Sequence, residues 1–348
     1  GVGVLVLERE RALGKKVCAE AISDIGLRAC ELNSKEFVVN EIFGARVYAP
    51  DESRNVEVSG KLMGEEGGHI LDKRKYLESL AEAATKAGAE IRFGACVVDF
   101  QRDGGSIKTI AKDNGGTQTL LSRIALGCDG FSSVVARKFF DTSKMEFISC
   151  IQYKLEGCRI DNEHELHFYL GNEVAPRGYL WVFPKGKGLA NVGLGVRGKP
   201  AKLYLDKFLQ KHPEIFADSK ILNVGGAPVV VSGQLDKVVS DNVMICGEAA
   251  GHVIPLTGAG IHTSAVAGRI AGRVAAEAVL EQNFTQRRLS EYIIEFNKIW
   301  ADRIMKSLKA LRVIERLSDS ELNIMAEVLK GEDILDIASG VNLERAAK

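Results

Sequence analysis

Gly1-Val2-Gly3-Val4-Leu5-Val6-Leu7-Glu8 is a short apolar run that ends in a carboxylate. A run apolar at every position, rich in Val, predicts a parallel strand buried on both faces. The second strand of a dinucleotide-binding unit has this form. In such a unit the carboxylate at the strand's end bonds the adenosine ribose hydroxyls, about 20 residues after a G-x-G-x-x-G phosphate loop. No such loop lies upstream, and the chain does not open on Met. The expectation is that a first strand and phosphate loop, roughly 25 to 30 residues by the size of a βαβ unit, are missing. The competing reading is an ordinary edge strand with nothing before it.

Downstream segments continue in α/β fashion. Tyr76, Leu77, Leu80, Ala81 and Ala84 recur at helical spacing, Gly88 stops the helix, and Ala89 to Phe93 starts a strand. An apolar strand from Leu121 breaks at Gly127-Cys128-Asp129-Gly130, and the helix-compatible Val134 to Arg137 follows. An Asp-Gly turn between strand and helix brings a carboxylate and bare backbone toward a ligand. Asn242 to Cys246 reads as a buried strand, followed by Gly247-Glu248-Ala249-Ala250-Gly251. Thr257-Gly258-Ala259-Gly260-Ile261 then opens a helix of small residues. Small side chains let backbone N–H groups and the positive helix end approach a negatively charged ligand, and a reduced flavin is one. A plain helix cap explains a glycine turn alone; its combination with Glu8 and Gly130 is more specific.

Between residues 141 and 237 helical spacing gives way to β-prone pieces at Phe147–Leu155, Glu165–Leu170, Gly178–Phe183, Ala190–Val196 and Ile221–Val231. They predict an inserted antiparallel sheet, joined by residues 41–62. Alternation places Tyr179, Trp181 and Phe183 on one face. Either that face packs on its own core or it lines a pocket. Residues 285–348 read as charged helices with an apolar stripe through Ile293, Ile294, Trp300, Ile304 and Leu308.

Bulk properties exclude several classes. Lys plus Arg and Asp plus Glu number 46 each, which argues against a nucleic-acid partner. The seven cysteines show no C-x-x-C pair or metal-ligand spacing, so no metal site is expected and a reducing cytoplasm fits. No run of about 18 apolar residues appears. His252 and His262 flank the glycine turn and are read as structural; His69, His164, His167 and His212 have no metal spacing.

The sequence resembles the geranylgeranyl reductase family, flavoproteins related to the aromatic hydroxylases. The matching residues are Tyr179-x-Trp181-x-Phe183-Pro184-Lys185 with Asn191-Val192-Gly193, Gly247 to Gly251 with Pro255 and Gly258 to Ile261, Cys128-Asp129-Gly130, and Val17 to Ser23. The resemblance runs from Gly1 to about residue 330. It implies an α/β fold with a Rossmann-like FAD-binding domain of the glutathione reductase and aromatic hydroxylase type, its first strand and phosphate loop missing. That domain takes residues 1–40, 62–140 and 238–280; the substrate-binding antiparallel sheet takes 41–61 and 141–237; a helical region takes 281–348.

The implied activity is reduction of isoprenoid double bonds with FAD as cofactor. By the same resemblance Glu8 holds the adenosine ribose. Asp129 and Glu248 lie near the pyrophosphate and ribityl chain, with Gly130 and Gly247 beside them. Gly258, Ala259, Gly260 and Ile261 face the isoalloxazine, and Cys18, Ala19 and Val97 complete the cofactor contacts. Tyr179, Trp181 and Phe183 line a prenyl pocket. Two positions depart from the family pattern: Glu248 stands where Asp is common, and Lys73, beside Arg74, where Arg is common.

An isolated alkene has no carbonyl to polarise it, so a hydride donor needs a proton delivered to the other carbon in a dry pocket. Cys18 is the candidate acid; the alternative is a small buried thiol. A flavin monooxygenase acting on an aromatic or quinone-like substrate is the alternative activity, and a non-catalytic lipid-binding remnant a third reading. No second G-x-G-x-x-G occurs, which leaves NAD(P)H or a ferredoxin-like protein as electron donor. The expected location is the cytoplasm, with contact at the membrane surface where the lipid substrate resides.

Overall fold

The structure, a computed structural model, describes residues 1–32, 35–59 and 67–342. They group into two compact units: 1–15, 74–146 and 230–304 form the first, and the described residues of 16–73, 147–229 and 305–342 the second.

The first unit has the predicted α/β character. Leu5–Glu8 pairs in parallel with Glu90–Phe93, and the chain reaches the second strand through the helix Lys73–Lys86. Parallel strands need such a long connection. Ala125–Gly127 pairs in parallel with Val243–Ile245, whose three side chains are fully buried. The opening strand departs from expectation: Val4, Leu5 and Val6 are 51%, 36% and 41% exposed. Among the described residues its one strand partner is Glu90–Phe93, and a strand flanked on one side does not bury an all-apolar run. Residues 96–122 form an antiparallel sheet of Cys96–Asp103, Ser106–Asp113 and Gly116–Ser122. The Gly104-Gly105 turn was the available hairpin signal.

The second unit is built on a seven-stranded sheet, ordered Lys220–Val230, Phe147–Glu156, Leu189–Val196, Tyr179–Gly186, Glu165–Tyr169, Gly44–Tyr48, Asn55–Ser59. Every β-prone piece predicted between 141 and 237 is a strand in it. The sheet is mixed, correcting the antiparallel reading, because Glu165–Tyr169 and Gly44–Tyr48 run parallel. Those strands come from distant segments, so no hairpin forces their direction.

One face is covered by the helix Ala201–Lys211, which interrupts the stretch read as sheet. Ala201, Tyr204, Leu205, Phe208 and Leu209, at i, i+3, i+4, i+7 and i+8, pack with Leu180, Val182, Val192 and Leu194. Residues 16–40, expected with the nucleotide domain, group here because Ala21–Ser23 pairs with Gly68–Leu71, which also takes Val38–Ile42. The expected boundary at 61–62 lies outside the described residues.

The C-terminal region is helical, with Gln286–Leu289, Glu291–Ile314, Asp319–Val328 and Gly331–Ser339. The apolar stripe keeps Trp300 and Ile304 of the one predicted and departs from it at Ile294. Tyr292, Phe296, Trp300, Ile304 and Leu311 are buried, whereas Ile294 is 55% exposed.

Candidate functional site

The glycine turn of the first unit forms where the buried strand Val243–Ile245 runs out. Gly247–Ala250 makes one helical turn, and Gly251 closes it in the left-handed region. Gly247 itself has φ +62, and a Cβ there would stand 2.9 Å from the Ser264 hydroxyl. Only glycine brings this turn so close to the helix Ile261–Leu280. Glu248 Oε1 accepts from the Val230 amide at 3.3 Å, and a Cβ on Gly130 would be 3.7 Å from Glu248 Oε2. The structure therefore brings Gly130, Gly247 and Glu248 together.

Gly258 and Ala259 lead into the helix; Ile254 and Ala259 are bridged by a 2.9 Å hydrogen bond. The helix begins after Gly260 with no side-chain cap, so its first amides and the positive dipole end carry no anionic side chain of their own. An uncapped 20-residue helix beside a turn too tight for a side chain fits the electron-rich edge of a flavin.

Asp129 has a different local task. Its Oδ2 accepts from the Val134 amide at 2.6 Å, the first of the helix Val134–Phe139, while its Oδ1 accepts from Ser133 Oγ at 2.5 Å and so holds the hydroxyl that caps that helix. Glu8 Oε1 accepts from the Glu10 amide at 2.7 Å, which fixes the carboxylate at the strand end. The Glu8 carbonyl accepts from the Ala95 amide at 3.0 Å, bringing Glu8 near Val97 in the next strand. Of the cations noted in sequence, Lys73 donates to the Lys16 carbonyl at 2.9 Å and Arg74 pairs with Glu78 at 2.8 Å.

His252 is inaccessible and stacks on Phe296 at 4.0 Å. Burial pushes its pKa down to about 3, so it is a neutral core residue, as read from sequence. His262 meets Trp300 edge-on at 4.8 Å. The Cys246 thiol lowers the pKa of Cys128 from its ordinary value, an interaction just past the paired strands Ala125–Gly127 and Val243–Ile245 that spacing did not reveal.

Cys18 and Ala19 fall in the second unit, with the aromatic strip. Tyr179, Trp181 and Phe183 do share one face of their strand, with ring centroids 5.9 and 6.5 Å apart in succession. Phe168, missed in sequence, comes from the neighbouring strand and sits 5.6 Å from Tyr179 and 5.2 Å from Phe183. Ile42 and Ile70 complete a buried cluster, against which Ala19, Ala21, Cys150 and Leu166 pack. Trp181 and Phe183 are only 8% and 5% exposed, while Tyr179 stays half-buried. Burial, then the Cys150 and Cys18 thiols, pushes the Tyr179 phenol well up.

Trp181 Nε1 donates to Gln152 Oε1 at 3.0 Å. A Cβ on Gly193 would stand 2.5 Å from the Trp181 ring and 2.6 Å from the Ile151 carbonyl. This close approach explains glycine in Asn191-Val192-Gly193. Cys18 is half-buried, its sulfur accepting from the Glu20 amide at 3.3 Å. A second buried polar pair, also missed, joins His69 Nε2 to Asp24 Oδ1 at 2.5 Å.

The geranylgeranyl reductase catalytic domain family matches residues 146–229. A digeranylgeranylglycerophospholipid reductase of Methanopyrus kandleri is 35% identical over the whole of this chain and 89% of its own length. A geranylgeranyl bacteriochlorophyll reductase-like protein from Thermoplasma acidophilum superimposes with a TM-score of 0.89 at 27% identity, covering 99% of this chain and 88% of its own. A halogenase solved in complex with FAD gives 0.72 at 14% identity, over 94% of this chain and 74% of its own, and shares the fold.

Proposed function

This chain belongs to the geranylgeranyl reductase family, and we propose on that footing that it is an FAD-dependent oxidoreductase reducing the C=C double bonds of a geranylgeranyl lipid. The observation that carries the reading is 35% identity along the full chain to a digeranylgeranylglycerophospholipid reductase. The largely buried apolar cluster of Tyr179, Trp181, Phe183 and Phe168, in which Tyr179 and Phe168 remain partly exposed, supports it, being chemically suited to a prenyl chain.

In the first unit, Glu8 binds the adenosine ribose and Val97 lies beside it. Gly130, Gly247 and Glu248 take the pyrophosphate and ribityl chain, with Asp129 ordering that turn through its helix cap. The Gly258–Ile261 backbone offers amide donors to the ring edge. When bound, FAD supplies the hydride. In the second unit, the aromatic strip and Ala19 exclude water and orient the alkene. Cys18 gives its proton to the second alkene carbon; the resulting thiolate is reprotonated from solvent. Reducing equivalents come from NAD(P)H or a ferredoxin-like protein, and the lipid is met at the membrane surface. No helix among the described residues is long and apolar enough to cross a membrane.

The test is anaerobic. The purified chain is loaded with FAD, reduced, and mixed with a geranylgeranyl phospholipid. Return of the oxidised flavin bands with gain of one H2 per double bond is expected. Reoxidation by oxygen alone, with hydroxylation of an aromatic or quinone substrate, would move the assignment to a monooxygenase; absence of flavin uptake both by the chain as given and by the chain joined to a flavin phosphate-loop segment would sink the oxidoreductase reading.

A further inference from the structure

The segment carrying Cys18 is held at each of three successive carbonyls. Gln152 Nε2 donates to the Cys18 carbonyl at 3.0 Å, Asn191 Nδ2 to the Ala19 carbonyl at 3.2 Å, and the Leu71 amide to the Glu20 carbonyl at 2.9 Å. Glu20 sits at φ +70, a left-handed conformation that a glutamate adopts only when its surroundings impose it. Its carboxylate supplies that imposition. Oε1 accepts from the Lys73 amide at 3.1 Å, and Oε2 from Asn191 Nδ2 at 2.7 Å. Lys185 Nζ pairs with the same Oε2 and also donates to the Leu71 carbonyl at 2.8 Å.

The clamping side chains are buried, with Gln152, Lys185 and Asn191 at 7%, 8% and 1% exposure. A buried charge is tolerated only when paired and hydrogen-bonded, so Lys185 and Glu20 fix one another. Within the same turn the Glu20 amide points back onto the Cys18 sulfur at 3.3 Å. Gln152 meanwhile accepts from Trp181 Nε1 at 3.0 Å. One amide side chain thus ties the aromatic strip to the cysteine's own backbone.

We infer that Gln152, Lys185 and Asn191 are positioning residues for the saturation step: they lock the Cys18–Glu20 turn so that the thiol is held in register with the aromatic strip. The Lys185 and Asn191 of the Phe183-Pro184-Lys185 and Asn191-Val192-Gly193 stretches therefore act through Cys18 rather than on the lipid. The inference rests on the reading of Cys18 as the acid, and the test separates the two.

Gln152→Glu keeps an acceptor for Trp181 but, as a carboxylate, loses the donor to the Cys18 carbonyl. In the FAD-loaded full chain, alkylation of Cys18 by iodoacetamide, followed by peptide mass mapping, is expected to quicken about fivefold, the worth of one hydrogen bond. The kcat on a geranylgeranyl phospholipid is expected to fall about tenfold with KM within about twofold, since misplacement of a reacting group acts on kcat. If the carboxylate prevents folding, Asn191→Ser releases the Ala19 carbonyl and gives the same readouts. Alkylation at the wild-type rate in a folded variant overturns the clamp. Faster alkylation with unchanged kcat, together with an active Cys18→Ala, overturns the acid reading and the catalytic role of the clamp with it.

Discussion

Single residues set the geometry around the aromatic strip, and Gly193 is the clearest instance. The Trp181 ring lies so close to its Cα that a Cβ would stand 2.5 Å from it, leaving space for hydrogen and no more. Gly193→Ala forces either the indole off its rotamer or the strand away from Ile151, an overpacking cost of about 1–3 kcal/mol. Urea unfolding followed by tryptophan fluorescence should show the midpoint falling, with a changed native emission from Trp181. A midpoint within error of wild type would mean that the ring is not packed as described. The Glu248 substitution is also legible here: its longer side chain reaches the Val230 amide. The Phe168 contribution was hidden, because nothing in the sequence states which residue lies across from Trp181 on the next strand.

Among the elements, the helix Lys73–Lys86 was the most readable, from its apolar spacing and the stop at Gly88. The helix Asp319–Val328 starts at a capping box in which the Glu321 amide donates to Ser318 Oγ at 3.3 Å and the Ser318 amide to Glu321 Oε2 at 2.8 Å. Ser318→Ala should cost about 1 kcal/mol, seen as about fivefold faster hydrogen exchange in that helix alone. Equal protection in the variant would show that tertiary packing, not the cap, holds the helix. The helix Ala201–Lys211 was missed although its apolar residues recur at helical spacing, because the β-prone pieces on either side dominate that stretch. The stripe on Glu291–Ile314 was legible at Trp300 and Ile304, and it wrongly took in Ile294, which is as apolar as the buried residues.

At the scale of the whole molecule, buried histidines govern how stability responds to mild acid. His252 has a folded pKa of about 3 against an ordinary value of 6.5. His167 and His262 are also lowered by burial, with the Arg303 charge adding at His262. Below the unfolded pKa the unfolded chain takes up protons that the native state refuses, so stability falls as pH drops from about 6.5 toward 3. His212, raised by Glu52 and Glu214 against its own burial, acts in the opposite sense but only above about pH 6.5, where stability is lost as pH rises through its folded pKa, and adds no slope below that. Urea midpoints read between about pH 4.5 and 6.5 should decline, and His252→Gln should reduce the slope by up to about 1.4 kcal/mol per pH unit. An unchanged slope would mean that His252 is protonated in the native state.

What the sequence determined by itself was local and periodic: the strands between 147 and 230, the glycine turn at Gly247, the helix after Gly260, and the alternation that puts Tyr179, Trp181 and Phe183 on one face. Those features follow from side-chain period and from the few residues that tolerate a tight turn. Tertiary structure alone decided which segments became neighbours. It ran Gly44–Tyr48 parallel to Glu165–Tyr169, assigned residues 16–40 to the second unit, and gathered Gln152, Lys185 and Asn191 on the turn after Cys18. Such pairings join residues more than a hundred positions apart. They are fixed by the need to satisfy buried carbonyls and charges, a demand that exists only once the chain has folded around them.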